Sequence, residues 1–421
     1  MARIEDPGHA LAQAAMSRPG EAGTPDTSIL VLNCGSSSIK FALFDASRPQ
    51  LPRKPYWNGK VDGIGGPNPT VGVTGLDPAP VAIDPARPYH DALGQIRSRV
   101  DARLGGHALE AVAHRVVHGG RKYSQPVLLD DQVLADLRSY VPLAPLHQPF
   151  ALEAIESLQR SNPGLPQVAC FDTAFHHTMP DVEKMLPLPH SAWERGLRRY
   201  GFHGLSYAYV ARALAERHGE RARGRCIVAH LGSGASLCAM NGLQSVATSM
   251  GFSALDGLMM GTRCGALDPG AVIYLMEIEK LTLEQVGRVL YHESGLLGVS
   301  GVSSDPRELL PREASDTRVQ AALALYVRRI VREIGSLTAA LGGLDLLAFT
   351  AGIGEHNPVI RERVCAGLGF LGVAIDSALN EASAPVISVP GSGVLVGIEP
   401  TNEEWIAALD CARLLAGGAG R

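Results

Sequence analysis

The chain has 421 residues, 46% of them hydrophobic and 19% charged, with a formal net charge of −4 at neutral pH. That length exceeds one ordinary domain core and predicts two domains. A weakly acidic balance without a long basic run speaks against nucleic acid as a partner, and no apolar stretch reaches the ~20 residues of a membrane span.

Residues 1–27 hold no apolar core of signal-peptide length and end in Gly, Pro, Thr and Asp, which predicts a flexible tail and no export. From residue 28 the sequence reads SILVLNCGSSSIKFALFD. An apolar run leads into a Gly/Ser turn closed by Lys40, and an alternating run leads out, predicting two strands. Residues 48–90 are rich in Pro and Gly and read as loops and short strands that extend the first sheet. Helical spacing appears at 132–141, 150–158 and 207–219. CIVAHLGSGASLCAM at 226–240 repeats the opening layout of apolar run, Gly turn and second run. Helical spacing returns at 283–294 and 318–341. LLAFTAGIGEHN at 346–357 places a third Gly turn after a strand-like run, and Pro358 suits the first turn of the helix that follows. Strands interleaved with helices predict α/β layers, and the repeated strand–turn–strand predicts two related halves. The seven cysteines (Cys34, Cys170, Cys226, Cys238, Cys264, Cys365 and Cys411) are scattered, odd in number and without CxxC spacing. They read as free thiols of a reducing compartment.

A Ser-rich turn is commonly no more than a loop. The turn in NCGSSSIK can also cradle a phosphate, since backbone N–H groups and hydroxyls ring the anion and Lys40 adds a point charge. It is not a P-loop, because GxxxxGK[ST] is absent. HLGSG at 230–234 and AGIGE at 351–355 are turns of the same kind. Three of them, each after a strand-like run, point to a polyphosphate, whose charge spreads over several groups. AHRVVHGG sets Arg115 between His114 and His118, RRYGFHG carries His203, and GTRCG carries Arg263. Each histidine reads equally as a hydrogen-bonded structural residue and each arginine as a surface ion pair. Gly-flanked arginines, however, let an anion approach closely and bind in bidentate fashion. Asp172 follows the run VACF, at the strand end where α/β proteins place functional groups. Glu403 and Glu404 in TNEEW are either solvated helix-start carboxylates or ligands of a magnesium ion.

The set NCGSSSIKF, HRVVHGG, LAPLH, FDTAFH, RYGFHG, GLMMGTR, SGVSSD, AGIGE and TNEE, in this order over residues 28 to about 410, resembles the acetate kinases (acetokinases) of the actin-like, sugar-kinase superfamily of ATPases. The resemblance implies an α/β protein of two related actin-like (ribonuclease-H-like) domains around a central ligand cleft. One domain would span 28–172 plus about 405–421, and the other 173–404. It further implies a cytoplasmic homodimer that passes the γ-phosphoryl group of ATP to acetate or another short-chain carboxylate, with Mg²⁺ (or Mn²⁺).

Carried over position by position, Asn33 and Glu403 would hold the metal, and Ser36, Ser38 and Lys40 would meet the phosphates. Arg115 would bind the acceptor carboxylate, with Val117, Leu146, Phe202 and Ala254 lining the acyl pocket. Arg263 and His203 would stabilise the transferring phosphoryl group. The nucleotide would be held by His230, Leu231, Gly232, Ser233 and Gly234, by Asp305, Pro306 and Arg307, and by Gly352, Ile353, Gly354, Glu355 and His356. Asp172 matches the family's catalytic acid. A carboxylate acceptor is already ionised at neutral pH, so Asp172 is expected to orient an arginine or a metal-bound water rather than remove a proton. Departures from the family pattern are Ser233, Pro306 and His356 on the nucleotide side, Ala254 for Pro in the acyl pocket, and Ala266, Gln148 and Tyr207 for Asp, Asn and His. Two alternatives stand beside acetate: a propionate or butyrate kinase, or one with another phosphoryl donor, and a non-catalytic actin-like assembly protein.

Overall fold

The computed structural model describes residues 24–145 and 147–418; the expected tail up to residue 23, and Leu146, lie outside the described residues. Backbone bonding begins early. The Thr24 hydroxyl donates to the Arg103 carbonyl, and the Asp26 carbonyl accepts from the Ala108 N–H.

The opening run forms β1 (Thr27–Cys34), and the Gly35–Ser37 turn returns it as β2 (Ser38–Asp45). Three short strands, β3 (Trp57–Asp62), β4 (Thr70–Val73) and β5 (Leu76–Pro80), extend the sheet antiparallel, where loops and short strands are predicted. On the other side of β1 lie β6 (Ala108–Val116) and β8 (Gln167–Phe171), both parallel, and the edge pair β7 (Val127–Leu128). The order is β5-β4-β3-β2-β1-β6-β8-β7. The second sheet comprises β9 (Cys226–Leu231), β10 (Ala235–Asn241), β11 (Gln244–Thr248), β12 (Leu346–Thr350) and β13 (Leu395–Ile398), in the order β11-β10-β9-β12-β13. In each sheet a central strand carries an antiparallel hairpin on one side and parallel strands on the other. That shared order is the relation between halves that the repeated turn predicts.

Alternation along the central strands assigns the cores. Ile29 and Val31 of β1 face one way and Leu30 and Leu32 the other, and all four are buried. The first pair, with Val228 and Ala348 of the second sheet, closes on the helices Gly204–His218 and Glu403–Gly418 through Tyr207, Val210, Leu214, Trp405 and Ala408. Two helices are thus held between two sheets. The outer face of the first sheet is covered by the helix Pro88–Leu104, whose buried residues Tyr89, Leu93, Ile96, Val100 and Leu104 form one stripe. The outer face of the second is covered by the helix Thr317–Leu341, capped by the Asp316 side chain and ended by Gly342 at φ 70°.

His114, His118 and His176 are buried in this frame, and burial pushes each imidazole from 6.5 down to about 4. They fold as neutral rings. Below the unfolded value of 6.5 the unfolded chain takes up protons that the folded chain refuses, until about pH 4. Stability is therefore present at neutral pH and lost as pH falls through that window. Urea unfolding should show a midpoint that drops steadily between about pH 6.5 and 4.5; a midpoint constant down to about pH 5 would rule out neutral burial of these rings.

Candidate active site

The parallel strands end at a cleft of about 570 Å³ lined by residues of both sheets. Strand register sets its floor. Lys40, Asn33 and Arg115 stand in one row across β2, β1 and β6. Ser236, His230 and Thr350 stand in the matching row across β10, β9 and β12. Asp172 follows the last residue of β8, with its N–H bonded to the Val116 carbonyl.

Arg115 spends most of its donors on protein. Its Nε donates to both oxygens of Asp172 at 3.0 and 3.1 Å, Nη2 to Oδ2 at 2.7 Å and Nη1 to Asn33 Oδ1 at 3.2 Å. Glu403 lies 3.5 Å from Nη1. Of the five N–H groups of a guanidinium, one on each terminal nitrogen remains. Burial pushes the Asp172 carboxyl up, against the pull of Arg115. The guanidinium bonds both of its oxygens and so fixes the carboxyl plane against Arg115. Asn33 Oδ1 and the Glu403 carboxylate reach the same Nη1, so two hard oxygen donors share one small volume. No cage of three or more His, Cys, Asp or Glu gathers among the described residues. The pair suits a cation that takes few protein ligands and fills its shell with phosphate and water.

Arg263 is different. Nη1 donates to the Ala254 carbonyl at 2.8 Å, and among the described residues no carboxylate pairs with it. Burial lowers the pKa of both guanidiniums. For Arg115 the charges of Asp172 and Glu403 more than reverse that, whereas Arg263 stays below the ordinary arginine value. A half-buried cation without an anion is costly unless a ligand supplies one. Gly234 shows where that ligand fits. A Cβ added there would lie 3.3 Å from His203 Nε2 and 3.6 Å from Nη1 and Nη2 of Arg263. The missing side chain leaves one spot that both groups address.

His203 caps the helix Gly204–His218 at φ 59°, a conformation that costs of order 1 kcal/mol for a residue with a Cβ. Its neighbours hold it there. The Gly204 N–H donates to the Asp172 carbonyl at 2.8 Å, and the His176 ring bonds the Phe202 carbonyl and the Ser245 hydroxyl, both at 2.9 Å. The His203 and His230 rings stack with centroids 4.2 Å apart and 12° between planes. Burial is the first cause that depresses both, His203 well below 6.5 and His230 to about 3, so the stack is neutral. His230 Nδ1 bonds Ser206, and Ser206 bonds Thr401, whose N–H donates to Glu355. The AGIGE segment, expected as a Gly turn, is a short helix, Ala351–His356, that starts directly at the end of β12. Glu355 also accepts from the Ala351 N–H, and so ties this helix to the strand exit ahead of Glu403.

The other expected residues are spread over the cleft, an adjoining cavity and positions outside both. Lys40, Val117, Phe202, Ala254, Gly232, Ser233, Gly352 and Glu355 line the main cleft. A second cavity of about 270 Å³ adjoins it through Gly232, Ser233 and Gly352, and is lined by Asp305, Pro306, Arg307, Ile353 and His356. There Arg307 is exposed and paired with the Asp305 carboxylate. Ser36 lies on the exposed tip of the β1–β2 hairpin and Ser38 at the first residue of β2, outside both sets of lining residues. Leu231 and Gly354 are buried behind the cleft. Leu146 falls outside the described residues. Gln148 is fully buried and holds the backbone of His118 from both sides, with Nε2 donating to its carbonyl and Oε1 accepting from its N–H. His147, Met250 and Thr401 also line the cleft and were not singled out from sequence. The signal for His147 was present, at the end of LAPLH just before the helix Gln148–Ser161. Burial, with Arg263 and Arg115 nearby, lowers its pKa to about 4. Thr401 acts through its backbone and hydroxyl, which no motif announces.

Comparison with known proteins identifies relatives of the chain. A model of the acetokinase family matches residues 28–409. The chain is 48% identical over 396 residues to an acetate kinase of Rhodopseudomonas palustris, covering 93% of this chain and 99% of that one. Among solved structures it is similar to Porphyromonas gingivalis acetate kinase, with a TM-score of 0.82, 36% identity and coverage of 92% of this chain and 100% of that one. It is also similar to a propionate kinase from Francisella tularensis, with a TM-score of 0.84, 35% identity and coverage of 91% and 98%. The chain belongs to the acetokinase family.

Proposed function

We propose that this enzyme transfers the γ-phosphoryl group of ATP to the carboxylate of acetate, reversibly, giving acetyl phosphate and ADP. The observation that carries the reading is the Arg263 guanidinium, without a carboxylate partner among the described residues, sharing one spot with His203 Nε2 in the same cleft as an arginine with two N–H groups still free. A carboxylate bound end-on to Arg115 is an ionised nucleophile and needs no base. Its oxygen attacks the γ-phosphorus, and the bond to the bridging β–γ oxygen breaks. Both partners are anionic, so the barrier is largely electrostatic. Arg263 and His203 offset the charge on the equatorial oxygens. Asn33 and Glu403 would hold Mg²⁺, which when bound neutralises phosphate charge. In this reading Asp172 is a positioning residue: it fixes the face that Arg115 turns to the acceptor. Lys40 reaches the cleft from the hairpin, and the adjoining cavity at Asp305, Pro306 and His356 takes the nucleoside.

Hydroxylamine trapping of the product tests the reading directly. Acetohydroxamate should form with ATP and acetate. No hydroxamate with acetate, propionate or butyrate would overturn it and leave a non-catalytic actin-like role. Arg263→Ala should lower kcat by roughly 10³–10⁵ with an unchanged urea midpoint, and near-normal turnover in that variant would remove Arg263 from the mechanism.

A second reading, acceptance of longer acids, is favoured by Ala254. It lines the cleft with Val117, Phe202 and Met250, and its carbonyl anchors Arg263. A methyl group there leaves room, and each added CH₂ buried is worth about 0.8 kcal/mol. Propionate should therefore be turned over with kcat/KM within about fivefold of acetate, and Ala254→Pro should widen the preference for acetate. A steep fall from acetate to propionate in the unaltered chain would count against it.

We further propose a cytoplasmic homodimer. The helix Pro269–Glu277 has no buried residue, and Ile273, Tyr274, Met276, Ile278 and Leu283 form an exposed apolar patch on and just after it. An apolar helix surface of this kind calls for a partner, and a second copy of the chain is the one we assign. Ile273→Asp with Ile278→Asp should convert a sedimenting dimer to monomer; an unchanged sedimentation coefficient would place the contact elsewhere.

A further inference from the structure

The stacked histidines raise a question that distance alone does not answer: which ring nitrogen of His203 carries the proton. A neutral imidazole has one donor and one acceptor. Only the form protonated at Nε2 can donate to an anion at the spot shared with Arg263. The other form would present a lone pair to that anion and repel it.

The buried hydroxyls behind the ring decide the matter. His203 Nδ1 lies 2.8 Å from the Ser236 hydroxyl, and that hydroxyl lies 2.5 Å from the Tyr207 hydroxyl. Tyr207 and Ser236 are both 0% exposed. Burial raises the phenol well above its ordinary value, so its proton is present at all relevant pH. Among the described residues the Tyr207 hydroxyl has one hydrogen-bond partner, Ser236 Oγ. A buried phenol that fails to donate bears the full cost of its desolvation with no bond to offset it, so its proton goes to Ser236. The serine proton is then turned away from Tyr207, and His203 Nδ1 is the acceptor within reach. Nδ1 is filled, and the ring proton stands on Nε2. The polarity runs one way, from Tyr207 through Ser236 to His203, because its first member can only donate usefully.

We propose that Tyr207 is a positioning residue of the phosphoryl site, which through Ser236 locks His203 in the Nε2–H tautomer with its donor aimed between Gly234 and Arg263. Tyr207 touches neither reactant. It lies one turn into the same helix that His203 caps, so helix geometry keeps the relay in register: the Tyr207 N–H donates to the His203 carbonyl at 3.0 Å. The parallel chain on the second ring, Thr401 to Ser206 to His230, begins with a threonine hydroxyl rather than a phenol and lacks this built-in direction.

The inference rests on the phosphoryl-transfer reading only for its kinetic consequence; the tautomer belongs to the resting chain. Long-range proton–nitrogen correlation spectra of the full chain, labelled with ¹⁵N-histidine, should show His203 at about pH 7 as a single Nε2–H tautomer, assigned by its loss in His203→Gln. Tyr207→Phe keeps the ring and removes only the donor. It should populate the Nδ1–H form and lower kcat several-fold, with KM for ATP and acetate changed less than about twofold. Ser236→Ala severs the relay at its middle and should mix the tautomers in the same way, which provides the test if Tyr207→Phe fails to fold. A role in packing alone would lower the melting temperature without moving the tautomer signals. An unaltered chain that carries Nδ1–H, or a Tyr207→Phe chain that keeps a pure Nε2–H signal, overturns the proposal. A chain with the expected tautomer that forms no acyl phosphate would instead overturn the phosphoryl-transfer reading and leave the relay standing.

Discussion

The contact on which the rest of the site depends is the one between Arg115 and Asp172. It joins the ends of two neighbouring parallel strands, β6 and β8, inside a cleft where neither charge could stand alone. Through it the end of β6 is fastened to the start of the helix Gly204–His218. Asp172 takes the guanidinium on its carboxylate and the first N–H of the helix Gly204–His218 on its carbonyl. That helix starts with His203, runs between the two sheets, and supplies Ser206 and Tyr207 to the stacked rings. Gly204 is required at its start because a Cβ would lie 2.2 Å from the same carbonyl. The ion pair is thus a joint that sets Arg115, His203 and the stacked rings in one frame.

The two halves share a strand order but not a chemistry. At the end of the first central strand the cross-sheet row is Lys40, Asn33 and Arg115; at the end of the second it is Ser236, His230 and Thr350. One row is cationic and the other neutral and hydroxyl-rich. The first brings two cations and an amide to the cleft, whereas in the second only His230 lines it and Ser236 and Thr350 are buried beside it. The Glu355 clasp, which holds the Ala351 and Thr401 N–H groups on one carboxylate oxygen, links the short helix Ala351–His356 to the segment that leads to Glu403.

Much of this was legible in the sequence where side chains announce themselves. The hairpin at NCGSSSIK, its repeat at HLGSG and the helix after Pro358 follow from apolar runs broken by glycine. Arg115, His203 and Arg263 stand out because polar and basic residues at the ends of apolar runs or within Gly-rich turns are uncommon in cores. The helix Pro88–Leu104 was missed because its stripe from Tyr89 to Leu104 is diluted by Gly94 and five charged residues on the outer side. The relay was invisible for another reason. Ser236 and Tyr207 are 29 residues apart, and nothing in either segment says that a hydroxyl of one meets a phenol of the other. Arg115 was legible as an anion binder, but that three of its N–H groups are already spent could be learned only from its neighbours.

The stacked histidines carry one more consequence. With both rings held neutral by burial, the positive charge at the reacting centre rests on guanidiniums, which do not lose their protons in water. The buried histidines of the scaffold refuse protons only at the expense of the folded state. An enzyme bathed in its own weak acid would then keep the guanidinium charge of its cleft constant while its frame grew weaker, so that acidification would be felt as a loss of the folded state rather than of the cations that face the anions.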